Sequence, residues 1–160
     1  MRSKHSLLGT GVSTMVNFTW PIGITVTVDS FIRAPPYLMN NIDAASMRWC
    51  AVLGSLTGWA IGYFFNEWIS RTRVHRPGWR PEYRLHGVWI PAFCMVWGLL
   101  CFGLTNQFHK SWVGLAFGWF GVNIGLVGTM VAITAFALEK YSADATIVSA
   151  ILNMWRTCGM

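Results

Sequence analysis

Four long stretches of this chain carry no Asp, Glu, Lys or Arg: Ser6 to Val28, Trp49 to Asn66, Gly87 to His109 and Ser111 to Leu138. A helix crosses the hydrocarbon core of a bilayer with about 20 apolar residues, so each stretch predicts one span. We place the spans at 13–32, 45–68, 88–104 and 112–138. A fifth helix is expected over 143–160, with Ile147, Ile151 and Met154 apolar and Asn153 and Arg156 polar. It is too short to cross a bilayer and is expected to be incomplete, still running close to Met160. The β-branched run Ile24 to Val28 would suit a strand in water. In lipid an open strand leaves backbone groups unpaired, so a helix is expected instead.

Proline and glycine punctuate this pattern. Pro21 falls near the middle of the first span and predicts a kink. Pro35-Pro36 ends that helix and Asn40-Asn41 continues the loop. Gly54, Gly58 and Gly62 recur every fourth residue, which makes a flat stripe for close helix packing. Gly114, Gly118, Gly121, Gly125 and Gly128 keep to one face of the fourth helix.

Composition agrees with the pattern. Hydrophobic residues make up 54% of the 160 residues and charged residues 11%, against roughly 25% charged in soluble domains. Disorder is excluded, because it needs low hydrophobicity and high charge. With 12 basic and 6 acidic residues, a water-soluble globule could not cover its surface. The expected class is an all-α polytopic membrane protein, integral and multi-pass, with the lipid bilayer as its first partner.

The net charge of +6 is concentrated rather than spread. The loop 70–86 holds Arg71, Arg73, Arg76, Arg80 and Arg84 against Glu82 alone. The positive-inside rule puts this loop in the cytoplasm. Alternation then places Arg2, Lys4 and Lys140 inside and Arg33, Arg48 and Lys110 outside. Nucleic-acid binders cluster basic residues on a folded face, so no nucleic-acid partner is expected. The segment after Arg2 and Lys4 lacks a small-x-small cleavage site and does not read as a signal peptide. Asn17-Phe18-Thr19 matches the glycosylation sequon but lies inside a span, out of reach of the transferase.

Candidate chemistry is sparse. Cys50, Cys94, Cys101 and Cys158 lie in apolar stretches without metal-site spacing and read as small buried hydrophobes. The four histidines fall in tails or loops, and no nucleophile, phosphate-loop or dinucleotide motif occurs. No enzyme activity, cofactor or metal is expected. Ionisable residues within spans are functional candidates by default. Asp29 and Glu67 lie close to span ends, where interfacial solvation is the favoured explanation, and Arg156 sits in the fifth helix. Near the midplane stand Asn17 and Trp20 in the first span, and Trp119, Asn123 and Thr129 in the fourth. Such asparagines line a cavity or bond a neighbouring helix.

At the basic loop, Arg80-Pro81-Glu82-Tyr83-Arg84-Leu85 resembles the Pro-Glu-x-Arg-Leu signature of fungal major facilitator superfamily (MFS) transporters. In that family the signature lies between helices 8 and 9. Pro35-Pro36-Tyr37, the Gly54-Gly58-Gly62 stripe, Tyr141-Ser142-Ala143-Asp144 and Asn153-Met154-Trp155-Arg156 are similar to further family segments, in the same order. The resemblance implies part of an MFS C-terminal helical bundle, helices 7 to 11: four full transmembrane helices and a truncated fifth. It implies transport of a small solute by alternating access, with a proton as a candidate coupling ion and an N-terminal six-helix half as partner. In such transporters helices 7 and 10 face the cavity, which makes Asn17, Trp20, Trp119 and Asn123 the cavity candidates. The glycine stripe would pack against a helix of the N-terminal half.

The family often has an Asp at the inner end of helix 8, followed by basic residues. Here Asn66 holds that place, with Glu67 beside it and Arg71 and Arg73 after it. Glu67 is the candidate replacement carboxylate. Glu82 and Arg84 are expected in the same cytoplasmic gate network. The rival reading is a non-transporting membrane interaction subunit, or an inactive gene remnant. Plasma and vacuolar membranes are not distinguished by sequence.

Overall fold

The computed structural model describes residues 2–35, 37–73, 81–108 and 111–158. It is all-helical, with no strand among the described residues. Five α-helices follow in order: α1 (Arg2–Arg33), α2 (Asn41–Arg73), α3 (Trp89–Gln107), α4 (Trp112–Lys140) and α5 (Ala145–Cys158). A 3-10 segment, Pro81–Val88, leads into α3, and a shorter one, Ser142–Asp144, precedes α5.

Each helix overlaps an expected span, and α1 and α2 are longer than those spans. Hydrophobic length sets a span, whereas a helix ends only where its backbone is interrupted. Nothing before Ser13 breaks α1, and α2 runs past Trp68 to Arg73. Pro21 is accommodated inside a continuous α1. The run Ile24 to Val28 is helical. Thr25 and Thr27 donate their hydroxyls to the carbonyls of Pro21 and Gly23 at 2.8 and 2.7 Å. These i−4 bonds satisfy polar groups within the helix itself.

α1 ends in a turn built on one unusual residue. Leu38 has φ 43°, a left-handed conformation that costs a leucine of order 1 kcal/mol. The Met39 amide donates to the Ile32 carbonyl at 3.0 Å and holds the turn.

α4 is the hub. It packs against α2 on one side and α3 on the other, and it also touches α1 and α5. Its buried residues include Leu115, Ala116, Trp119, Val122, Thr129 and Phe136. Near its N-terminal end Leu115, Ala116 and Trp119 join Val28 and Ile32 of α1, Met47 of α2 and Phe102 of α3 in an apolar core.

Glycine lets the helices approach this closely. A Cβ added at Gly58 would lie 2.5 Å from the Ile124 carbonyl oxygen, and one at Gly98 would lie 2.5 Å from the Val122 nitrogen. In both cases the obstacle is backbone, so these helices touch main chain to main chain.

The outward surfaces are apolar. Trp49, Phe64, Trp68, Trp89, Phe93, Trp97 and Phe117 are all more than half exposed. Among the described residues, two helical segments are long and apolar enough to cross a membrane: Glu82–Gln107 and Trp112–Lys140.

Candidate functional site: a polar network at one end of the bundle

α2 and α4 finish at the same end of the bundle, where the 3-10 segment also begins. That segment carries Glu82 and Arg84 across to both helix ends. Arg84 donates from Nη1 to Asn66 Oδ1 at 2.9 Å, and from Nε to Glu139 Oε2. Lys140 Nζ reaches Glu82 Oε1 at 3.1 Å and also lies over the Phe136 ring. Two cations and two carboxylates thus close a neutral cluster among three elements.

Burial differs across the cluster. Asn66 is 8% exposed, and the Arg84 and Glu139 side chains are 17% and 30% exposed. A buried amide needs a partner, and the Arg84 fork supplies it while also holding the carboxylate.

Glu67 stands apart from the Arg84 cluster. It accepts from Arg71 Nε at 2.9 Å on the solvent side of α2, four residues along the same helix. Facing Arg84 is instead Glu139, from α4. The Glu67 hydrogen bond raises the pKa of the Arg71 guanidinium above its ordinary value. The Arg73 side chain and residues 74–80, including Arg76 and Arg80, lie outside the described residues.

Glu139 and Lys140 are the two members that sequence reasoning missed. Lys140 entered only the count of inside charges. The available signal was an acid and a base side by side, immediately after the long charge-free stretch of α4.

The cavity candidates do not share one described cleft. Trp119 is 3% exposed and belongs to the apolar core. Its indole Nε1 has no hydrogen-bond partner among the described residues. Asn123 donates from Nδ2 to the Trp119 carbonyl at 2.8 Å and lies against Gly54 of α2. Asn17 is half-buried on α1, and the Trp20 side chain lies outside the described residues. Further along α1, a small cleft of about 110 Å³ lies among Thr14, Phe18, Met130, Ile133, Thr134, Leu152 and Asn153.

The Gly54-Gly58-Gly62 stripe is filled from within the chain. Phe120, Asn123, Ile124, Gly128 and Val131 of α4 lie against it. This corrects the expectation that a helix of another half would pack there: Phe120, Asn123 and Ile124 of α4 occupy it, while most of the glycine face of α4 turns to α3.

The opposite end of the bundle carries its own polar contacts. Arg48 Nη2 meets Asp29 Oδ2 at 2.6 Å, Arg33 donates to Asn41 at 2.9 Å, and Tyr37 Oη donates to the Thr105 carbonyl at 3.3 Å. The Arg48 side chain is 63% exposed, so this ion pair stabilises by less than about 1 kcal/mol. Asp29→Asn should therefore lower stability by no more than about 1 kcal/mol in a detergent-denaturation titration. A larger loss would mean that the pair is more shielded than its exposure implies.

Among the described residues no three His, Cys, Asp or Glu side chains converge as a metal site. Compared with known proteins, the chain matches no family model, no curated protein and no solved structure.

Proposed function

We propose that this chain is a multi-pass part of a secondary transporter of a small solute, corresponding to the C-terminal half of an MFS protein. The observation that carries the reading is the Arg84 network, which ties α2, the Pro-Glu-x-Arg-Leu segment and α4 together at the end assigned to the cytoplasm. Alternating access needs an element with two stable arrangements. A cluster of directional, partly buried ion pairs at one end supplies such a catch. It is strong enough to hold helix ends together, and water competes for its members once they part.

The charge distribution supports the membrane placement. Between Arg48 and Glu67 on α2, and between Trp112 and Leu138 on α4, no charged residue interrupts the helix. The α2 interval holds 18 residues, from Trp49 to Asn66, which at about 1.5 Å per residue is close to the hydrocarbon thickness. Exposed Trp49 and Trp112 stand at one end and exposed Trp68 and Trp89 at the other, as aromatic belts do at the two interfaces.

The substrate path in this reading runs along α1 and α4, past Asn17, Trp20, Trp119 and Asn123. The half-buried Asn123 amide is the polar group it offers. Asn123→Leu, made in a chain that carries both halves, should reduce solute uptake into cells or proteoliposomes about tenfold or more while leaving the inserted amount unchanged. That size corresponds to loss of one hydrogen bond to a buried polar group. Uptake kinetics equal to those of the parent would reject the assignment.

A further inference from the structure

A second site stands at the other end of the bundle, away from the Arg84 network. A cleft of about 550 Å³ opens between the α1–α2 connection and the start of α4, lined by Tyr37, Met39, Asp43, Ser46, Met47 and Trp112 among others. Its size falls within the range of small-molecule sites. Cys50 and Trp112 line this cleft and also a second one, of about 330 Å³. The second cleft is walled by Leu53, Val113, Ala116, Phe117 and Phe120 and is wholly apolar. The two clefts therefore adjoin: a mouth with a carboxylate and aromatic rings, and an apolar slot beside it.

Charge pairing at this end singles out Asp43. Asp29 is taken by Arg48, and Arg33 by Asn41. Asp43 has no ion-pair partner among the described residues. Its place in the first turn of α2 suits the positive end of that helix. That preference does not account for the Tyr37 and Trp112 rings in the same wall, nor for the apolar slot. Tyr37 is held by its hydroxyl bond to Thr105, so its ring is a fixed surface. A carboxylate with Trp and Tyr rings is the set that recognises an ammonium group, through Coulomb attraction and the ring quadrupoles. Met39 and Met47 add polarisable, adaptable walls.

We infer that the adjoining clefts bind an amphiphilic ammonium cation, its head beside Asp43, Tyr37 and Trp112 and its tail in the slot along Leu53, Ala116 and Phe120. This does not depend on the transporter reading. A choline lipid headgroup and a free organic cation share this chemistry.

Cys50, at the junction of the clefts, is a free thiol that reports occupancy. The purified chain in a maltoside detergent would be treated with N-ethylmaleimide and labelling followed by peptide mass spectrometry. Hexyltrimethylammonium should slow Cys50 labelling about fivefold or more and leave Cys158 unchanged, with hexanol weaker and hexanesulfonate without effect. Asp43→Asn should raise the concentration for half-protection about fivefold, and Trp112→Leu by a similar factor, with helicity by circular dichroism unchanged. Asp43→Glu should stay within about twofold of the parent. In a second arm, without added cation, nanodiscs of phosphatidylcholine would be compared with nanodiscs of phosphatidylglycerol. Protection in phosphatidylcholine alone identifies the lipid headgroup as the source. Protection only on adding hexyltrimethylammonium identifies a free cation. Equal protection by hexanol, an unchanged half-protection concentration in Asp43→Asn, or no protection in either arm overturns the inference.

Discussion

Replacing Gly58 with valine is expected to destabilise the chain by about 3 kcal/mol, the upper part of the range for overpacking a tight contact. The new Cβ would sit 2.5 Å from the Ile124 carbonyl oxygen and 2.9 Å from the Ile124 Cα. Both are main-chain atoms of α4, so no side-chain rotation relieves the clash and α2 must move away along its length. Gly98→Val should behave alike on the opposite face of α4, against the Val122 nitrogen and the Gly118 oxygen. Gly62 meets the Val131 Cβ at 3.1 Å and the Gly128 Cα at 3.3 Å, farther off than the atoms at Gly58, so Gly62→Ala should cost less than Gly58→Ala. Gly103 has nothing within 4 Å of an added Cβ. Gly103→Ala should be neutral or stabilising by up to about 1 kcal/mol, from helix propensity alone. Detergent-denaturation titrations read all five. Equal stability of Gly58→Val and Gly103→Ala would mean that α2 and α4 do not pack along this seam.

The seam also shows what can be read from the chain and what cannot. Spacing alone gives the two glycine faces, because residues four apart on a helix line up whatever surrounds them. It does not say which helix fills them. The α2 stripe could take any partner with a flat surface, and the sequence holds no distance information to choose α4. Helix order and charge placement are legible for a similar reason: a charge-free stretch between charged ends is a one-dimensional signal. Boundaries are less so. α1 includes the residues from Arg2 to Val12, where no apolar pattern demands a span and nothing forbids a helix.

The candidate site divides in the same way. Asn66, Glu82 and Arg84 stand out by type and position, and they do meet at one end. Glu139 lies 55 residues from Arg84 along the chain, and only the antiparallel return of α4 brings it there. Glu67 is the nearer candidate in sequence, yet its position on α2 points it at Arg71. Trp119 has the composition of a cavity residue, but burial is a property of neighbours: Met47, Phe102 and Ile32 come from three other helices to enclose it.

Arg84 is where the largest polar effect is expected. Arg84→Gln would remove the guanidinium from the Glu139 carboxylate and the donor from the Asn66 amide. Stranding partly buried polar groups costs about 1–3 kcal/mol each. The Arg84 and Glu139 side chains are 17% and 30% exposed, which keeps the loss below the 3–5 kcal/mol of a fully buried broken pair. A total of about 2–3 kcal/mol is therefore expected. Glu139→Gln should cost less, because the arginine left behind still bonds Asn66. A double-mutant cycle across Arg84 and Glu139 should show about 1–2 kcal/mol of coupling, against less than about 1 kcal/mol for the exposed Arg48–Asp29 pair. The charge swap Arg84→Glu with Glu139→Arg should recover part of the loss, since the attraction survives while the Asn66 bond does not. If coupling were near zero, the cluster would be a solvated set of surface charges and could not serve as a catch. If coupling is strong, the inner ends of α2 and α4 are held by contacts that water can replace. On the proposed transporter reading, the direction of the functional effect follows: in a chain with both halves, Arg84→Gln should shift the protein toward the state in which this end is open. Faster labelling of a cysteine introduced at Ser70 would register that shift.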